Sequence, residues 1–269
     1  MDYQRVGKLL FWGALAYTLV NSNAVSTQYQ MYNIEDMSYL NSIAGIWSSC
    51  DVVERTNLGQ YEKNVLFLKD KLENEIELII PDLSGEDFED VVKNRTMTDA
   101  MYKDIQESSN IFLFINPDMI SKQTLIKDIS PEHRQETEEL ESDSDEESNK
   151  NDQYEIHEQA QYVMLLQDIG RIRKDCTRMK VIVSAWDAYD CKSTPQDLLE
   201  EKMPLLWQYL ITNEKLFECE YWGISAQGGD LNDPAKRDEL LDCDDPIDRI
   251  IIVNSEGKRM SNDLTMLLK

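Results

Sequence analysis

Histidine is nearly absent from this chain: two in 269 residues, alongside five cysteines that form no C-x-x-C pair. That excludes a zinc site at ligand spacing. The scattered cysteines, Cys50, Cys176, Cys191, Cys219 and Cys243, read as reduced, mostly buried thiols of a cytoplasmic protein. Basic residues are scarce as well. The 27 Lys and Arg face 52 Asp and Glu, and the formal charge of -25 repels a phosphate backbone over most of the surface, so nucleic acid is not expected as a partner. No apolar run is long enough to span a bilayer; the longest, residues 9–20, falls short of the ~20 residues a spanning helix needs. Arg5 and Lys8 before this run and Asn21-Ser-Asn-Ala24 after it give it the shape of a short signal peptide. The unpaired cysteines favour the other reading, a buried helix.

What is present is core: 41% of the residues are hydrophobic, enough for one large domain, taken as 1–269. Residues 36–47 place Met37, Leu40, Ile43, Ala44 and Trp47 at helical spacing. After a polar connection, residues 64–68 and 76–80 read as strands, and the short turn at 70–74 predicts a hairpin. Pro81 is expected to end the second strand. Helical spacing resumes at Phe88, Val91 and Val92 and, after a break near Thr96, at Met101, Tyr102 and Ile105. Residues 111–115 form a continuous apolar run, the habit of a strand buried on both faces of a parallel sheet.

The composition then changes abruptly. Ten of the twenty-one residues from 132 to 152 are acidic, opposed by Arg134 and Lys150, which predicts a disordered acidic insertion over 130–153. Beyond it, residues 159–172 read as a helix and 180–184 as a strand. Thr194-Pro195 caps a helix carrying Leu198, Leu199, Met203, Leu206 and Leu210, and residues 219–224 and 249–253 read as strands. This alternation predicts an α/β fold with helices covering a mainly parallel sheet.

Polar clusters stand at strand ends in a fixed order: Arg55-Thr56, Asp82-Leu-Ser-Gly85, Ser184-Ala-Trp-Asp187 and Ser225-Ala-Gln-Gly228. The second is a D-x-x-G at the carboxyl end of a strand, where open α/β sheets place ligands. Its Asp suits a magnesium ion held through water and its Gly a close backbone approach to phosphate; a strand followed by a helix cap would look the same. A carboxylate such as Asp187 can accept two parallel hydrogen bonds from the guanine ring N–H and exocyclic amine, which adenine does not offer. The Ala226 N–H, in a tight Ser-Ala-x-Gly turn, suits the guanine carbonyl.

Set beside Tyr39-Leu-Asn-Ser-Ile-Ala44, Pro81-Asp-Leu-Ser-Gly-Glu86, Met203-Pro-Leu-Leu206 and Gly223-Ile-Ser-Ala-Gln-Gly-Gly229, these clusters give the chain a likeness. It resembles the P-loop (TRAFAC-like) GTPases and, within them, the bacterial double-GTPase group associated with conflict and defence gene clusters. The resemblance implies a three-layer P-loop GTPase-like domain, GTP or GDP with Mg2+ as cofactors, and protein partners. It assigns Asp82 to the magnesium shell, Thr56 to the magnesium-bound switch, and Gly85 to the γ-phosphate contact. Asp187 falls to guanine selection, Ser225 and Ala226 to the base loop, and Glu86 to the position where many GTPases keep a water-orienting glutamine.

The departures are equally specific. A phosphate loop needs G-x-x-x-x-G-K-[ST] after a strand, and the chain offers only Gly7-Lys8, with Asp2 at the first glycine position and Leu9 at the hydroxyl position. The sheet is therefore expected without its first strand. Either the phosphate cradle has been lost, or it belongs to a start of the protein that this sequence does not include. Ala185 stands where N-K-x-D has its lysine. Two further readings stand beside these. Gly223-Ile-Ser225-Ala-Gln227 approaches the nucleophile elbow G-x-S-x-G, with Gln227 in place of the second glycine and only His133 and His157 as bases. An interaction domain would instead use Trp207, Tyr209 and the acidic insertion.

Overall fold

Strict two-residue alternation splits the central strands between two apolar layers. In the computed structural model, which describes residues 3–21, 27–32, 38–51, 62–82, 91–92, 94–116, 157–189 and 193–269, four strands form one sheet in the order β4 (Asn110–Ile115), β5 (Thr177–Ser184), β6 (Phe217–Ser225), β7 (Ile251–Val253). The first three run parallel and β7 is antiparallel to β6. Phe112, Phe114, Ile182, Trp222 and Ile224 face one core with helix α1 (Tyr3–Val20) and helix α2 (Ser38–Ser48). Leu113, Ile115, Met179, Val181 and Val183 face the other core, under α4 (Glu158–Ile172), α5 (Pro195–Lys202) and α6 (Pro204–Thr212). The result is the expected three-layer α/β arrangement. Helix α3 (Asp99–Glu107) precedes β4, and α7 (Pro234–Leu241) follows β6.

A second, antiparallel sheet has the order β1 (Tyr29–Met31), β2 (Glu62–Asp70), β3 (Glu75–Asp82). Here the expected hairpin forms. Its turn is held by the Asp70 carboxylate, which accepts from the Leu72 and Asn74 amides at 2.8 and 2.9 Å. Those bonds, with the Asn74 side-chain amide first among them, hold the Asp70 carboxyl below its ordinary range. Pro81 does not end the ladder: it pairs opposite Lys63, and β3 runs on to Asp82 opposite Glu62. A proline is tolerated where its missing N–H would face away from the partner strand. Among the described residues β3 pairs only with β2 and β4 only with β5, so each sheet ends on an unpaired edge.

Residues 9–20 form the buried helix rather than an unattached apolar segment. Phe11 to Ala16 are all buried in α1, with Phe11 ring-to-ring against Phe114 at 5.0 Å. Among the described residues no helix is long and apolar enough to cross a membrane. The helix expected to run from Thr194 past Leu210 is two: Pro204 starts α6, and Met203 leaves the helical region with φ -132° and ψ 56°. Arg249, expected in a strand, closes a short 3-10 turn, Pro246–Arg249, before β7 begins. Thr56, Gly85, Glu86 and the acidic segment at 130–153 lie outside the described residues, and of Asp82 only the backbone is described.

Because Leu15 is fully buried between the sheet and α2, Leu15→Ala should lose about 2–5 kcal/mol of stability, read as a lower midpoint in urea denaturation with an unchanged slope.

Candidate functional site

The carboxyl ends of β5 and β6 are adjacent in register, Ser184 beside Ile224, and they carry the two loops expected to read a base. At the end of β5 the Ser184 hydroxyl donates to the Ile115 carbonyl at 3.0 Å, which fastens this turn to β4. Ala185 then takes left-handed geometry, φ 53° and ψ 41°, unusual for a residue with a Cβ. That reversal starts a 3-10 turn, Trp186–Ala188, in which Trp186 goes inward and Asp187 is left exposed. Gly223 on β6 makes room for the indole: a Cβ there would stand 2.4 Å from the Trp186 ring. The anchor and the presented carboxylate are thus neighbours in sequence with opposite fates.

At the end of β6 every residue of Ser225-Ala-Gln-Gly228 is committed. The Ser225 hydroxyl, 2% exposed, accepts from the Gly228 N–H at 2.8 Å and forms the turn. The Ala226 carbonyl accepts from the Trp47 indole N–H at 3.1 Å. The Gln227 side-chain amide, also buried, donates to the Cys50 sulfur at 3.0 Å. Gly228 has φ +83°, and a Cβ there would lie 2.5 Å from the Arg249 carbonyl, so only glycine fits. Ser225 therefore builds a turn and carries no nucleophile geometry. His157 caps α4, accepting from the Gln159 amide, and His133 lies outside the described residues.

A buried guanidinium supports this loop from behind. Arg249 is 5% exposed, donates to the Ser48 carbonyl at 3.0 Å and to the Cys50 sulfur at 3.1 Å, and lies 5.8 Å from the centre of the Trp47 ring. Arg237 on α7 adds bonds to the Cys50 carbonyl and the Asp51 carboxylate at 3.1 and 3.0 Å. Tyr17, whose ring contacts Trp47 at 5.3 Å, has its phenol pushed up by burial and by Asp245, with Arg249 acting in the opposite direction.

The region expected to meet the phosphates is built differently. Gly7 and Lys8 lie within α1, where backbone amides beyond the first turn are committed to the helix and are not free to cradle an anion. The Lys8 ammonium reaches the Pro81 carbonyl at 2.5 Å, beside Asp82 at the end of β3. Lys8 and the D-x-x-G strand are therefore brought together, and so are Asp187 and the 225–228 loop. Among the described residues no group of three His, Cys, Asp or Glu side chains converges as a metal site; a magnesium ion held through hydroxyls, waters and phosphate oxygens requires none.

Sequence reasoning missed Trp47, Cys50, Arg237 and Arg249 as supports of the base loop. Only Gly223, inside the recognised Gly-Ile-Ser-Ala string, had a local signal; the Trp47 and Ala226 partners are 179 positions apart. A mixed α/β domain with a carboxylate and a glycine-bearing turn at adjacent strand ends is compatible with a P-loop GTPase-like fold. The profile of the Double-GTPase 1 family matches residues 4–269. The chain belongs to that family. No curated protein and no solved structure matches it.

Gly223→Ala should drive a methyl into the Trp186 indole and lower stability by about 1–3 kcal/mol, with a shift in tryptophan emission that reports the displaced ring.

Proposed function

We infer that this protein is a GTPase-like regulatory or scaffolding subunit that binds guanine nucleotide and hydrolyses GTP poorly or not at all, within a bacterial conflict or defence system. Membership of the Double-GTPase 1 family supports a GTPase-like function at the coarser level. One observation carries the finer reading: the base loops are preorganised and present an exposed Asp187, whereas Gly7 and Lys8 sit inside α1. Guanine fits the base side, where Asp187 would take the ring N–H and amine and the Ala226 N–H would meet the carbonyl oxygen.

On the phosphate side Lys8 is already bonded to Pro81, and the backbone at Gly7 and Lys8 is helical rather than a loop of free amides. Thr56 and Asp82 are the residues that would hold Mg2+, and Gly85 and Glu86 those that would meet the γ-phosphate and the attacking water. Phosphoryl transfer depends on positioning and on stabilising charge at the transferred group. A subunit with such a phosphate side would recognise the base and turn GTP over slowly or not at all.

The second reading, an active GTPase, has one observation in its favour. Among the described residues β3 and β4 each leave an edge unpaired, and a further strand carrying a phosphate loop would find a place to pair there. A G-x-x-x-x-G-K-[ST] encoded upstream in the same reading frame would support it.

Calorimetric titration at high protein concentration with Mg2+ should show GTP and GDP binding and no comparable heat with ATP, and GTP turnover should stay at the background rate. Asp187→Asn should weaken GTP and GDP by about tenfold or more, the loss of charge-assisted hydrogen bonds worth roughly 1.5–3 kcal/mol, and leave ATP unaffected. Equal loss for both bases would remove the guanine assignment.

A further inference from the structure

Asp187 can recognise the edge of a guanine, but an exposed carboxylate competes with water for every hydrogen bond it makes. Selectivity then depends on a cover over the ring face that excludes solvent. Two positions close in sequence to the loops are placed to supply it, and neither does. Ala185 carries only a methyl group, and the Gln227 side chain is turned inward onto Cys50 with 2% of its surface exposed.

The residue that stands over the far end of the base loop comes from α7. Asp233 caps this helix, accepting from the Ala235 and Lys236 amides at 3.0 and 3.4 Å, and so fixes where Lys236 leaves the helix. The Lys236 stem then lies across Gly229: a Cβ on that glycine would stand 2.8 Å from both Cγ and Cε of the lysine. The glycine thus admits the stem along the loop, and the ammonium emerges beyond it, bonded to Glu239 at 2.9 Å in an exposed pair.

We propose that Lys236 is a specificity-determining residue of the base site, its stem covering one face of a guanine whose edge Asp187 reads and its ammonium held over the ring. This rests on the guanine reading above. An aliphatic stem with a cationic end suits the task, because it removes water from the ring face while the charge interacts with the π system. The Lys236 pKa is raised first by the hydrogen bond and charge of Glu239, against desolvation, with smaller contributions from the Asp187 and Asp233 carboxylates. Glu239 holds the ammonium when the ring is absent.

The test is titration of mant-GDP and mant-GTP with Mg2+ against the full chain and the variants Lys236→Ala, Lys236→Arg and Glu239→Gln, each checked by thermal unfolding. Lys236→Ala should weaken both nucleotides by the same factor, about three- to thirtyfold for a cation–π contact, since both share the base. Lys236→Arg should restore binding to near the wild-type value, because a guanidinium also lies flat on a ring, and Glu239→Gln should bind at least as tightly as wild type. The unfolding temperature should not move with any of them. Unchanged affinity in Lys236→Ala, a loss confined to GTP, or a loss that Arg does not repair would overturn the assignment of Lys236 while leaving guanine binding intact. Failure of the wild-type chain to bind either nucleotide would overturn the guanine reading itself, and this assignment with it.

Discussion

Trp47 is the constraint on which the base side of this fold depends. It is fully buried at the end of α2, and each side of it is used. Gly13 lets α1 approach so closely that a Cβ there would meet Trp47 Cβ at 2.6 Å. The Arg249 guanidinium lies over the ring, and the indole N–H ends on the Ala226 carbonyl. A large aromatic with one polar edge can join an apolar helix interface to a polar loop without leaving its donor unpaired. The arginine behind it makes no ion pair among the described residues, and its charge is met by a carbonyl, a sulfur and the ring face. Such a group is costly to bury, and its bonds to the Ser48 carbonyl and the Cys50 sulfur fix the shape of the loop's support.

The two halves of the proposed site are held to different standards. The base half is enforced by contacts between residues roughly 180–200 positions apart, each with a named donor and acceptor. On the phosphate half the described residues contribute a helix where a loop would be needed and one lysine bonded to a strand carbonyl. Recognition and turnover are separable in this class of chemistry, because binding the base needs a rigid rim and transferring phosphate needs a dense array of charge.

Much of the architecture was legible because it rests on local pattern. The 64–80 hairpin, the helix around Leu40 to Trp47 and the apolar strands of the central sheet follow from periodicity and turn chemistry. The missed features depend on neighbours. Strand β1 has only three residues and exists because β2 offers an edge. Pro81 remains in the ladder because of its place opposite Lys63. The break at Met203 and the start of α7 at Asp233-Pro234 did have local signals, a proline at the first helical position in each case. In the site, Asp187 was singled out by its motif, and the order of the motifs led to the family. No local pattern reports that Gln227 turns inward or that Cys50 receives two donors, since those partners meet only when α2, β6 and the turn before β7 are assembled.

The 3-10 turn Leu264–Leu268 packs against α1 and β1, and the Gln28 amide ends on Asp263 and Thr265 side chains, 235 and 237 positions away. A growing polypeptide emerges at about 5–20 residues per second, so α1 is exposed for on the order of ten seconds or more before the segment that covers it has been made. This buried helix thus leaves the ribosome well before the segment that encloses it. The interval between those events is fixed by the order of the elements along the chain rather than by the stability of the finished fold.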